Sequence, residues 1–101
     1  MTVYNGLATL LLPERLVVQS VTTLHREWQQ LIQQIRFDSI CIDAAQVEDI
    51  DAAGIQFLYA ASQYFIGKAY RVTLRGVPEH MSRAFGVCGL ADYFEAITDA
   101  V

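Results

Sequence analysis

Residues 48–58 read EDIDAAGIQFL, from Glu48 to Leu58, and the fold turns on how this stretch is read. An acidic loop meets an aspartate, two alanines and a glycine, and an apolar run follows at once. The first turn of a helix leaves backbone N–H groups unpaired and presents the positive end of the helix dipole, so a carboxylate just ahead of it acts as a cap. Asp51 is therefore expected to be the N-cap of a helix that starts at Ala52, with Gly54 completing the turn. Such a turn is a natural place for a hydroxyl, a thiol or a bound anion. Here Ala52 and Ala53 stand in those positions.

Downstream, Ile55, Leu58, Tyr59, Ser62, Phe65 and Ile66 share one face of a helix over 52–66, and Gly67 is its natural stop. Phe57, Ala60, Ala61 and Tyr64 form a second stripe, so the helix is apolar almost all round. The expectation is that the last helix covers this stripe through Met81 and Phe85; a partner surface or a homodimer contact is the alternative. Tyr70, Val72 and Leu74 then alternate with Arg71, Thr73 and Arg75, the period of a strand. Pro78 suits a helix first turn, and Met81, Ala84, Phe85 and Cys88 follow at helical spacing up to Gly89. The tail after Leu90 reads as a short turn of helix and then a weak strand over 94–97.

Upstream, SICIDA (39–44) reads as a central strand buried on both faces, with Asp43 at its carboxyl end. Before it, Val21, Leu24, Trp28, Leu31, Ile32 and Ile35 recur at spacings of three and four with polar residues between them, an amphipathic helix over 18–34. Asn5-Gly6 signals a two-residue hairpin turn, the second strand stops at Pro13, and 13–16 is a connection. Strands alternating with helices predict an α/β fold. The expected architecture is a mixed, mainly parallel sheet of four or five strands with helices mainly on one face, residues 1–101 forming one domain.

Composition narrows the function classes. The chain has 101 residues, 53% hydrophobic and 18% charged, which places it among globular proteins. The net charge of −4 and seven scattered Lys and Arg residues argue against nucleic acid, since phosphate binding needs clustered cations. No glycine-rich phosphate loop is present. No run approaches the roughly 18 apolar residues of a membrane span. Neither a basic amphipathic helix nor a charged leader is visible, so a cytoplasmic location without membrane insertion is expected. Cys41 and Cys88 lie outside any CxxC pair or metal-ligand spacing; Cys41 reads as a small buried hydrophobe and Cys88 as closing the apolar face of the late helix.

An enzyme reading could be assembled from Asp43, Asp49 and Asp51, since carboxylates at strand ends can hold Mg²⁺ or act as an acid–base pair. Capping already explains Asp51, and turn hydrogen bonding and solvation explain Asp43 and Asp49. His25 falls on the polar side of the first helix and His80 in the first turn of the last, with no nucleophile elbow. No catalytic residue, metal site or cofactor is expected.

The longer stretch ICIDAAQVEDIDAAGIQFL carries a resemblance. Asp43 ends a strand, Val47 and Ile50 serve as anchors, and Asp51-Ala52-Ala53-Gly54-Ile55 opens a helix. This resembles the signature of STAS domains, named for sulfate transporters and anti-sigma factor antagonists, where Asp-Ser-Ser-Gly-Leu or Asp-Thr-Ala-Gly-Leu stands at the turn. FIGKAYRVTLRGVPEHMSRAFGVCGLADYFE and LLLPERLVVQSVTTLHREW are similar to the family's later and earlier elements, with Pro13-Glu14 in place of the commoner Gly-Glu or Gly-Asp. The tail leaves little room for the further helix that many members carry after the position of Ala96.

The resemblance implies a bacterial, non-enzymatic interaction module. In such switches a partner kinase, itself an anti-sigma factor, phosphorylates the serine or threonine directly after the signature Asp. That position is Ala52 here, and Ala53 offers no substitute. The implied docking surface is Asp49, Asp51, Ala52, Ala53, Gly54 and Ile55, free of phosphorylation control. The implied partner is an anti-sigma factor, a kinase or a chemotaxis-type complex. The alternative is an accessory STAS subunit of a phospholipid-trafficking ABC transporter, docked on its ATPase.

Overall fold

Ala8, Leu10, Ile40, Ile42 and Leu74 are all buried, and strand register places them on one face of a sheet. A computed structural model describes residues 2–4, 6–34 and 37–98. Its main sheet has four strands in the order β1 (Thr2–Tyr4), β2 (Leu7–Leu11), β4 (Ser39–Asp43), β6 (Arg71–Arg75). β1 is antiparallel to β2, whereas β2, β4 and β6 run parallel. The intervening β3 (Arg15–Leu16) and β5 (Asp49–Ile50) form a separate two-stranded parallel pair. In the main sheet Ala8 aligns with Ile40 and Val72, and Leu10 with Ile42 and Leu74.

The opposite face is the more exposed one at β2, whereas β4 has Ile40, Cys41 and Ile42 buried on both of its sides, as expected of a central strand. Leu7 and Leu11 are 43% and 57% exposed, and Ser39 and Asp43 are half-buried. Cys41 on that face is buried even so, because it lies in register between Thr9 and Thr73 in the middle of the sheet. The mixed, mainly parallel α/β architecture is the one the alternation of elements predicts.

Helices α1 (Val18–Gln34), α2 (Ala52–Gly67), α3 (Glu79–Val87) and α4 (Ala91–Ile97) complete the fold. α1 buries Leu24 and Trp28; α2 buries Ile55, Leu58, Ser62 and Phe65. Tyr59 and Ile66, placed by periodicity on the same face of α2, are 38% and 43% exposed. Residues 94–97 are helical rather than extended: Phe94 stacks on Phe85 of α3 at 4.0 Å between ring centroids, and that burial outweighs the strand preference of Phe, Ile and Thr. Thr98, just after α4, pairs with the sheet through an isolated parallel bridge to Leu74. Tyr93 fastens α4 to α2, its hydroxyl 2.6 Å from Ser62 Oγ and its ring 4.8 Å from that of Tyr59.

Three local expectations change. α2 runs through Gly67, and the left-handed position falls to Ala69, at φ 66°. α3 ends one residue before Cys88, whose side chain is exposed instead of closing an apolar face. The connection over 13–16 contains β3. Tyr4 pairs with Leu7 and Gly6 has φ 79°, as a two-residue hairpin requires. Asn5 and Ile35, which the sequence reading placed in that turn and on the first helix, lie outside the described residues.

Candidate functional site

The turn ahead of α2 is organised by a single carboxylate. Asp51 Oδ1 accepts the N–H of Gly54 at 2.9 Å, which caps α2, and Oδ2 accepts the N–H of Val18 at 3.0 Å, the first residue of α1. Two helices therefore begin at one side chain. These bonds favour the ionised form and hold the Asp51 carboxyl below its ordinary pKa, the Val18 N–H contributing most and the Gly54 N–H next.

Gly54 is there for space. A Cβ at this position would lie 2.0 Å from the carbonyl oxygen of Leu16, so the first turn of α2 presses directly on the β3 backbone. β3 is itself pinned to the acidic loop, because the Glu14 carbonyl accepts the N–H groups of Glu48 at 2.7 Å and Asp49 at 3.0 Å. Arg15 and Asp49 form an ion pair at 3.5 Å with both side chains mostly in water, an interaction that contributes little.

The predicted site residues divide by burial. Asp49 and Ala52 are exposed, Asp51 and Ala53 half-buried, and Gly54 and Ile55 buried. The surface of the turn is thus Asp49, Asp51, Ala52 and Ala53, while Gly54 and Ile55 serve packing. Asp43, Asp49 and Asp51 have separate duties. Asp43 Oδ1 accepts the Ala45 N–H at 3.0 Å and Oδ2 meets Arg75 Nη2 at 3.0 Å. The Ala45 N–H, joined by Arg75, lowers the Asp43 pKa. Among the described residues no three His, Cys, Asp or Glu side chains converge as metal ligands would.

A second feature borders the turn. α1 and α2 start together at Asp51, and between them runs a groove of about 610 Å³ whose walls include Val21, Trp28, Ala53, Phe57, Ala60 and Tyr64. The second apolar stripe of α2 faces this groove, not Met81 and Phe85, which lie on α3. The Phe57 ring lies 5.1 Å from Trp28 and 6.2 Å from His25, which stands on the groove wall despite its position among polar neighbours in sequence. The sequence signal was the second apolar stripe of α2; its meeting with α1 is a tertiary event.

A family model described as "Mlab, STAS domain" matches residues 7–98. The chain belongs to the STAS domain family. STAS domains are in general modules for protein interaction and generally lack enzymatic activity. This STAS domain is similar in fold to the crystal structure of a sulfate transporter family protein from Wolinella succinogenes. The TM-score is 0.77 over 97% of this chain and 80% of that one, at 16% identity. No curated protein matches the chain. No helix of the described residues is long and apolar enough to cross a membrane.

Proposed function

We propose that this STAS domain is a cytoplasmic, non-enzymatic docking module that meets a protein partner through the turn at the start of α2 and is never switched by phosphorylation there. The observation that carries the reading is Ala52: it is exposed at the first position of α2, beside a capping Asp51, and has no hydroxyl. A phosphate at such a helix terminus would gain backbone N–H partners and bring charge to the surface, which is how a switch would work at this site. Without an acceptor the Ala52–Ala53 platform beside Asp49 and Asp51 stays small and free of phosphate charge. The partner is a signalling protein, either an anti-sigma factor or kinase or a chemotaxis-type complex. A second reading, an accessory subunit bound to a transporter ATPase, fits the transporter-family description of the solved relative.

Affinity purification of the tagged chain, with the bound protein identified and its affinity measured, tests this. An Ala52→Glu variant should bind at least tenfold more weakly; undiminished binding removes the turn from the interface. Ala52→Ser separates the partner classes: a kinase partner phosphorylates it and then binds it less well, whereas a transporter ATPase leaves it unmodified. Magnesium-dependent turnover of phosphoesters by the purified chain, abolished in Asp51→Asn, would overturn the docking reading altogether.

A further inference from the structure

The groove between α1 and α2 has the form of an unfinished helical bundle. On α1, its wall carries Val21, His25, Trp28 and Ile32, at spacings of four, three and four. On α2 it carries Ala53, Phe57, Ala60 and Tyr64, again at four, three and four. That is the spacing of the seam that one helix offers to another in coiled-coil packing. Because both helices begin at Asp51, the seams run side by side in the same direction, each for three turns, about 16 Å. Phe57 and Trp28 close the floor, while Ala53, Ala60 and Ala61 leave room above it.

The charge pattern selects the occupant. The sixteen residues of α2 include no Asp, Glu, Lys or Arg, and the polar groups on the groove wall are Gln29, Gln33, Gln56, His25 and the Tyr64 hydroxyl. Such a wall suits an uncharged apolar stripe and disfavours a charged one, whose desolvation nothing here would offset. Ala53 belongs both to the turn and to the groove, which makes the two surfaces continuous.

We propose that the groove receives an amphipathic helix of the partner protein, with large uncharged side chains at spacings of three and four, as the third member of a bundle with α1 and α2. The proposal rests on the reading that the α2 turn meets a protein, and it extends that interface from Ala53 to Tyr64.

The test uses the full chain and a defined probe: a stapled, uncharged helical peptide of about four turns, with leucines spaced four, three and four and glutamine and alanine elsewhere. Trp28 is the only tryptophan of the chain and lies on the groove wall, so its emission reports occupancy. Saturable binding is expected, weakened at least tenfold by Ala60→Arg. Ala60 is exposed, and an unchanged thermal midpoint verifies that the Arg variant folds. Absence of a saturable response, equal binding by Ala60→Arg, or equal binding of a peptide with lysines replacing the leucines would overturn the proposal. So would a dimer in sedimentation that Ala60→Arg dissociates, which makes a second copy the occupant, or a small apolar molecule retained in native mass spectrometry. With the natural partner, loss of binding in Ala52→Glu but not in Ala60→Arg refutes the groove alone, and the reverse pattern refutes the turn alone.

Discussion

Gly54 and Asp51 make the start of α2 a rigid joint, each by a different force. At Gly54 the constraint is steric: a methyl group would sit 2.0 Å from a backbone oxygen of β3, an atom that cannot swing aside as a flexible side chain can. Gly54→Ala should therefore destabilise the fold by at least about 2 kcal/mol, read from the urea midpoint. Asp51 works through charge and hydrogen bonding. Its folded pKa is depressed, so on acidification the unfolded chain takes the proton first and stability drains from the native state. The stability gap between wild type and Asp51→Asn should be constant near neutral pH. It should shrink as pH falls below about 4, the ordinary carboxylate range, and vanish below the folded pKa. Urea titrations over that range check it. The cap on α2 was legible in sequence because it acts over three residues; the bond to Val18 was not, because it joins residues thirty-three apart.

Among the elements, α2 shows how a terminus is decided by packing as well as by residue type. Gly67 is the residue a helix stop would use, yet it stays helical with open space where a Cβ would go, and Ala69 takes the left-handed turn instead. Tyr70, whose N–H bonds the Phe65 carbonyl at 3.0 Å and whose ring packs against Phe65 and Phe37, sets where the chain must turn. Exchanging the two residues, Gly67→Ala with Ala69→Gly, should stabilise the protein by about 1–2 kcal/mol, seen as a higher thermal midpoint with unchanged binding. β3 and β5 escaped the sequence reading for a simpler reason: two-residue strands are too short to show any alternation. Phe94, Ile97 and Thr98 suit a strand in isolation, and the stack of Phe94 on Phe85 commits residues 94–97 to α4 and leaves Thr98 a single bridge.

Across the whole molecule the sheet has one packed face and one that is more exposed at β2, and adjacent residues in β2 report the difference. Leu10→Ala should cost about 2–5 kcal/mol, because that side chain is almost wholly buried. Leu11→Ala, on the more exposed face, should change stability by about 0.5 kcal/mol or less; a pair of equilibrium unfolding curves checks both. The amino-acid sequence by itself determined the order of most elements, the Asp51 cap, the missing hydroxyl at Ala52 and a helix with no charge along its length. All of these are local patterns, set by spacing or by side-chain chemistry. Only the tertiary structure decided that Asp51 serves two helices, that one face of the sheet is the more exposed at β2, and that one apolar stripe of α2 enters the core while the other lines a groove beside α1. Those outcomes depend on which surfaces meet across long stretches of chain, and two stripes of similar hydrophobicity do not reveal which one the sheet will cover.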